Sequence, residues 1–267
     1  VQVQRDGQPV TLRPAHLVLA TGMSGVPKVP EIPGIEAFAG DFMHSSRYRT
    51  GEPYRGKHAV VLGANNSAHD VAQDLWEHSV GDVTMIQRSP TTVVRGGSSR
   101  SGIGNYSEGA VASGLTTDRA DMLNASMPAR LTPIAAAEAT RLQRENNAEY
   151  YARLEAAGFM LDFGEDETGV AMKYQRRGSG YYIDVGASEL IVTGEIKLRT
   201  RVSIERVMPR SVVLTDGSEL PADLIVCATG YGSMNGWAAQ LISQEVADRV
   251  GKVWGLGSDT AYDPGPW

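Results

Sequence analysis

Apolar and polar residues alternate over the first positions of the chain, and the alternation breaks at a turn signal. Val1, Val3 and Val10 stand among polar neighbours on either side of Asp6-Gly7, which reads as two short strands joined by a tight turn. An apolar run follows, Ala15-His16-Leu17-Val18-Leu19-Ala20, closed by Thr21-Gly22. The same succession returns near the end. Asp216-Gly217 marks a turn, Ala222-Asp223-Leu224-Ile225-Val226-Cys227 forms the run, and Ala228-Thr229-Gly230 closes it. Short apolar runs of this kind suit strands buried in a parallel sheet. Turn, run and small-residue exit recur in order, so the pattern reads as an internal repeat rather than two unrelated segments. Each exit lets the backbone pass close to a bound nucleotide.

Between the two exits lies a strand–turn–helix–strand unit. Lys57 to Leu62 is a short strand, and Gly63-Ala64-Asn65-Asn66-Ser67-Ala68 is a loop. Ala68, Val71, Ala72 and Leu75 then share one helical face, and Val83 to Ile86 is a second strand. This is the context of a dinucleotide loop: Gly63 for the tight turn, Ala68 for close helix–strand packing, and amides at the helix start for the pyrophosphate. The middle glycine of GxGxxG is Asn65 here, a residue expected to tolerate a left-handed backbone. The following helix carries His69, expected on the surface. After the second strand an NAD site presents Asp or Glu, whereas this chain has Gln87-Arg88-Ser89. Arg88 and Ser89 suit a 2′-phosphate, with Arg95 and Arg100 adding charge, so NADP is the expected cofactor. Two exits imply two nucleotide-binding domains. Only one glycine loop lies between them, so the other is expected before Val1, and the chain reads as a fragment cut at both ends.

Composition narrows the field. With Lys+Arg 25 against Asp+Glu 31, the formal charge of −6 speaks against a nucleic-acid partner. One cysteine, Cys227, provides no disulfide framework, CxxC pair or multi-thiolate zinc site, and fits a reducing, cytoplasmic setting. No apolar run approaches a membrane span. His16, His58 and His78 have no metal-ligand spacing, and no nucleophile elbow occurs. Thr132-Pro133 begins a helix expected to run to about Gly158, with Arg141, Arg144, Glu145 and Arg153 on a solvated face. Residues 96–131 read as a lid or substrate-side insertion. Tyr181-Tyr182 reads as a strand edge with exposed rings, and Tyr231, Asn235 and Trp237 as lining for a substrate channel.

The motifs together resemble the flavin-containing monooxygenases. Val60 to Asp70 is similar to the NADPH loop of that family, where Asn-Ser follows the glycines. Phe38-Ala39-Gly40-Asp41-Phe42-Met43-His44-Ser45-Ser46-Arg47-Tyr48 fits its F-x-G-x-x-x-H-x-x-x-Y/F pattern, and Ala228-Thr229-Gly230-Tyr231 its second Ala-Thr-Gly-Tyr. The motifs span residues 16 to 231. The F-x-G pattern is specific, whereas Ala-Thr-Gly exits also occur in other two-dinucleotide flavoproteins. Baeyer–Villiger enzymes, a sister group, usually end the F-x-G pattern in Trp, so Tyr48 points away from them. Plant indole-pyruvate monooxygenases and bacterial relatives are the nearest look-alikes.

The resemblance implies an α/β, two-dinucleotide-binding-domain flavoprotein. A three-layer Rossmann-like NADP domain with a β-meander would be inserted in a split FAD domain. Residues 1–50 would be the C-terminal-half remnant of the FAD domain and the hinge, 51–230 the NADP domain with a helical insertion near 96–160, and 231–267 the truncated return to the FAD domain. FAD and NADP are the implied cofactors. Gly63, Asn65, Asn66, Ser67, Ala68, Arg88 and Ser89 would face NADP, and Thr21, Gly22, Thr229 and Gly230 would lie at the exits. His44 and Ser45 would sit at the hinge, with His44 positioning NADP rather than transferring protons. Molecular oxygen and a small organic molecule would be the partners, through a C4a-hydroperoxyflavin shielded from water by NADP⁺. Two rival readings stay open: a flavin reductase of a disulfide or quinone, and a non-enzymatic NADP-sensing module.

Overall fold

The computed structural model describes residues 1–95, 103–128, 130–164 and 166–251. Arg100 and the tail from 252 onward lie outside these. The described residues divide into two units, one of residues 1–26 with 232–251 and one of residues 27–231.

In the smaller unit, β1 (Gln2–Arg5) and β2 (Gln8–Thr11) pair antiparallel. Asp6 and Gly7 both take positive φ, 51° and 75°. A two-residue turn of that kind matches the twist of its flanking strands. The strand expected over residues 15–20 does not form. Leu17, Val18 and Leu19 are exposed, Val18 at 83%. A buried parallel strand needs neighbours to take its backbone groups and cover its faces. Among the described residues of this unit the only strands are β1 and β2, which pair with each other. Two short helices, Asn235–Leu241 and Gln244–Val250, complete the unit.

The larger unit opens with β3 (Asp41–His44), β4 (His58–Leu62), α1 (Asn66–Glu77), β5 (Asp82–Gln87) and β6 (Thr92–Arg95). A helical stretch follows: α2 (Glu108–Ala112), α3 (Thr117–Ala125), α4 (Thr132–Asn146), α5 (Ala148–Ala156) and α6 (Gly169–Arg177). Then come β7 (Tyr181–Asp184), α7 (Ala187–Val192), β8 (Ile196–Thr200), β9 (Ile204–Met208), β10 (Ser211–Leu214), β11 (Glu219–Pro221) and β12 (Leu224–Cys227).

Five strands form a parallel sheet in the order β3-β12-β4-β5-β8. Successive side chains on a strand point to opposite faces, and that alternation builds three layers. Ala59, Val61, Val83, Met85, Leu224 and Val226 pack with Ala68, Val71, Ala72 and Leu75 of α1 and with Ile191 of α7. Val60, Ile86 and Ile225 point the other way, onto Val207, Val212 and Leu214 of the antiparallel meander β9-β10-β11. The expected α/β, Rossmann-like architecture with a meander is therefore present. β6 and β7 form a separate parallel pair beside the helices.

The single helix expected over residues 132–158 is two. Asn147, between α4 and α5, has φ −122° and ψ 25°, and its buried side-chain Nδ2 donates to the Gln143 carbonyl. Asparagine competes with the helical backbone for hydrogen bonds, and here it interrupts the ladder. Arg141, Arg144, Glu145 and Arg153 are solvent-facing, as their pattern implied.

A candidate dinucleotide site at the reversal of strand order

From β4 the chain proceeds through β5 to β8 on one side, while β12 and β3 lie on the other. In an open parallel sheet, ligands bind at the carboxyl ends of the strands where the order reverses, here between β4 and β12. Gly63 sits at that point with φ +136°. A Cβ there would lie 2.5 Å from the Ala228 carbonyl oxygen, so the loop after β4 touches the second Ala-Thr-Gly exit and only glycine fits. Ala68 is fully buried, which lets α1 approach the sheet.

Asn65 corrects one expectation. Its φ of −103° and ψ of −171° are extended, a conformation any residue adopts, so no left-handed tolerance is used. What matters is its carbonyl, which accepts from the amides of Ala68 and His69 and from the His69 ring at Nδ1, 3.1 Å away. The carbonyl can only accept, so Nδ1 carries the proton. His69 is not on the surface. It is fully buried, and its ring stacks on Tyr182 at 3.7 Å and 4°. Burial pushes its pKa down to about 4, leaving a neutral ring. Tyr182 is accordingly buried rather than an exposed edge residue. The other side chains of the loop are fixed nearby: Asn66 Oδ1 accepts from the Ile183 amide at 2.9 Å, and Thr91 Oγ1 donates to Asn65 Oδ1 at 3.4 Å.

The start of α1 has no side-chain cap and no acidic residue in its first turn, and Ser67 is exposed there. Uncapped amides at the positive end of a helix are a ready anion site. One strand over, Gln87 at the end of β5 is buried and doubly clasped: its Nε2 donates to the Met160 carbonyl and its Oε1 accepts from the Met160 amide, both at 2.8 Å. Arg88 and Ser89 follow directly and are exposed. Among the described residues Arg88 has no carboxylate partner. Arg95 lies at the end of β6 instead, its guanidinium 5.5 Å over the Tyr150 ring.

The F-x-G motif proves to be a brace. Phe38 packs into the meander-side core, and a Cβ on Gly40 would collide with the Asp223 carbonyl at 2.3 Å. His44 is 3% exposed at the end of β3. Its Nδ1 accepts from the Ser46 amide at 3.1 Å, so Nε2 bears the proton and donates to the Gly230 carbonyl at 3.0 Å. The ring also meets Tyr231 edge-on at 5.1 Å. Ser45 lends its carbonyl to the Tyr48 amide, and the Tyr48 hydroxyl donates to Asp74 on α1 at 2.5 Å. Thr229 Oγ1 donates to the Lys28 carbonyl, and the Lys28 amide donates to Gly230. The second exit is thus held from two directions, by residue 28 and by His44.

In the smaller unit, Thr21 and Gly22 are exposed on irregular backbone, with Gly22 at φ 83°. Asn235 donates to the Ala247 carbonyl and Trp237 to the Ser24 carbonyl, so their polar ends are engaged within that unit. Tyr231 belongs to the larger unit. Among the described residues no cluster of His, Cys, Asp and Glu could hold a metal, and no helix is long and apolar enough to cross a membrane.

Residues 2–164 match the pyridine nucleotide-disulphide oxidoreductase family. The chain belongs to that family. Within this family its relatives place it with the flavin-containing monooxygenases. It is 31% identical over 217 residues to a probable indole-3-pyruvate monooxygenase (YUCCA7) of Arabidopsis thaliana, covering 81% of this chain and 44% of the relative. It is 29% identical to an indole-3-pyruvate monooxygenase (YUCCA1) of Oryza sativa subsp. japonica, covering 93% of this chain and 55% of the relative. The chain thus spans about half the length of these curated relatives. Among solved structures, an NADP⁺-bound cyclohexanone monooxygenase from Rhodococcus sp. Phi1 shares its fold, with a TM-score of 0.52 at 19% identity, covering 79% of this chain and 45% of that one. An ε-caprolactone-bound cyclohexanone monooxygenase gives 0.54 at 18% identity, covering 81% of this chain and 48% of that one.

Proposed function

We propose that the protein acts as an NADPH- and oxygen-dependent flavin monooxygenase, inserting one oxygen atom into a small organic substrate in the cytoplasm. The observation that carries this reading is the uncapped start of α1 at the strand-order reversal, with Arg88 exposed at the neighbouring strand end. Amides at Asn66 and Ser67, with Gly63, Asn65 and Ala68 shaping the turn, would take the pyrophosphate of NADP. Arg88 and Ser89 would take the 2′-phosphate. Thr21, Gly22, Thr229 and Gly230 would border FAD, and His44 would act through the Gly230 carbonyl it holds. Both ring nitrogens of His44 are engaged, so proton transfer is not its part. Bound FAD would supply the oxygen-activating chemistry and NADPH the reducing hydride. The chain's own contribution is to orient the nicotinamide dinucleotide and to keep water off the reacting atoms. Tyr231, beside the second exit and edge-on to the His44 ring, would line a substrate channel.

The alternatives are a disulfide or quinone reductase and an NADP sensor. This chain carries one cysteine, Cys227, which is buried on β12 and whose thiol pKa burial raises to about 12. It supplies neither a pair nor a reactive thiolate. The test is NADPH oxidation by flavin-loaded protein with a small organic substrate, in air and without oxygen. Oxygen uptake matched by an oxygenated product is the expected result. Undiminished anaerobic turnover with a quinone would favour the reductase, and binding without turnover the sensor.

A further inference from the structure

We propose that Thr91 is a positioning residue of the dinucleotide loop. Its hydroxyl draws off the Asn65 side chain that would otherwise close the start of α1, and so keeps the Ser67 amide free for a phosphate oxygen. The proposal rests on the reading of this crevice as the NADP site and adds to it a residue that acts through the loop. Where a dinucleotide loop carries its middle glycine, this chain carries Asn65, and asparagine is among the residues best suited to closing a helix start. The backbone of Asn65 is set for that task. At φ −103° and ψ −171° it has the extended conformation of a capping residue, and its carbonyl already accepts from the amides of Ala68 and His69. The side chain nevertheless caps none of the helix amides.

Thr91, just before β6, is what holds it away. Thr91 is 2% exposed, and its Oγ1 donates to Asn65 Oδ1 at 3.4 Å. A buried hydroxyl without an acceptor is costly, so the satisfaction of Thr91 and the diversion of Asn65 are one contact. Thr91 is itself fixed: its amide donates to the Met160 carbonyl at 3.0 Å, and its carbonyl accepts from the Asp162 amide at 3.2 Å. Asn66 is drawn off as well, its Oδ1 accepting from the Ile183 amide of β7 at 2.9 Å. His69, stacked on Tyr182 of the same strand, donates from its ring to the Asn65 carbonyl. The Asn65–Asn66 peptide is planar and trans, so a carbonyl pinned toward the helix turns the Asn66 N–H out of it. Both asparagine side chains and the peptide plane are thus held from outside the loop. Among the described residues the Asn66 and Ser67 amides have no acceptor. An Asn65 oxygen released onto the Ser67 amide would compete with the phosphate for that donor.

Calorimetric titration of the purified protein with NADP⁺, alongside thermal melts, tests this without any need for turnover. Thr91→Val removes the hydroxyl and frees Asn65 to cap the helix. It should raise the NADP⁺ dissociation constant about three- to tenfold, the loss expected when a cap must be undone before the ligand binds. The same variant should melt no lower than wild type, because the freed side chain stabilises the helix it closes. A Thr91 that served only packing would lose affinity and melting temperature together. Asn65→Gly supplies the control, since it leaves no side chain to release. Thr91→Val added to Asn65→Gly should therefore leave the NADP⁺ affinity of Asn65→Gly unchanged. Unchanged affinity in Thr91→Val, an equal loss in both backgrounds, or a loss accompanied by a lower melting temperature would overturn the role of Thr91 and leave the NADP reading in place. If wild type binds no NADP⁺, the reading itself fails and the role of Thr91 with it.

Discussion

Residues 15–22 and residues 222–230 carry the same apolar run and the same Ala-Thr-Gly ending, and they meet opposite fates. In the second copy, Leu224 to Cys227 become β12, bonded to β3 on one side and β4 on the other and buried on both faces. In the first, Leu17 to Leu19 remain exposed on irregular backbone. The difference lies in what surrounds each segment. A parallel strand has no local partner, and its hydrogen bonds and burial come entirely from distant chain. The second copy also gains constraints that no strand pattern announces. Gly63 leans on the Ala228 carbonyl, and His44 holds the Gly230 carbonyl. An apolar run states a capacity for burial; the neighbours decide whether it is used.

The strongest way to break this comparison is to put a charge into each copy. Ile225→Asp places a carboxylate in a fully buried position of the sheet and should cost more than about 4 kcal/mol, enough to unfold a domain of ordinary stability. Val18→Asp falls on a residue 83% exposed and should change stability by no more than about 0.5 kcal/mol. Denaturant melts of both variants give the comparison directly. Similar losses would mean that the first run is buried as deeply as the second.

His69 sharpens the account of the nucleotide loop through pH. Its ring titrates near 6.5 when unfolded and about 4 when folded, so between those values the unfolded chain binds a proton that the native state refuses. Its contribution is fully present above pH 6.5 and is lost as pH falls toward 4, an effect on the order of 3 kcal/mol. His69→Phe keeps a ring on Tyr182 and removes the titration. The stability difference between wild type and variant should therefore narrow as pH drops from 6.5 to 4 in parallel melts. A difference independent of pH would place the titrating group elsewhere.

Two smaller effects follow. Arg88→Ala should raise the dissociation constant for NADPH by one to two orders of magnitude, about 1.5–3 kcal/mol, with NADH barely affected in nicotinamide-fluorescence titrations. Tyr48→Phe removes the hydroxyl that donates to Asp74 and should lower stability by about 1 kcal/mol while leaving the fold intact. A neutral Tyr48→Phe would mean that the F-x-G brace rests on Gly40 and His44 alone.

The β4-α1-β5 unit was legible in the sequence because its signals are local: an apolar strand, a glycine with its turn, then a helical face repeating every three to four residues. The meander turn at Asp216-Gly217 was legible for the same reason. His69 was misread because α1 is covered on two sides. The sheet buries Ala68, Val71 and Leu75, whereas Tyr182, more than a hundred residues on, buries His69, and no periodicity within the helix reports that second cover. Asn147 was readable in principle, as an asparagine inside an otherwise regular helical pattern, but its effect depends on which backbone carbonyl its amide finds.

The central claim is that one crevice, between β4 and β12 at the carboxyl edge of the sheet, takes the phosphorylated nicotinamide dinucleotide. A crystal structure of the protein with NADP⁺ tests it most directly. The account predicts the pyrophosphate on the amides of Asn66 and Ser67, with Gly63 beneath it, and the 2′-phosphate within hydrogen-bonding distance of Arg88. A dinucleotide bound elsewhere, or one lying in the crevice with its 2′-phosphate turned away from Arg88, would contradict it.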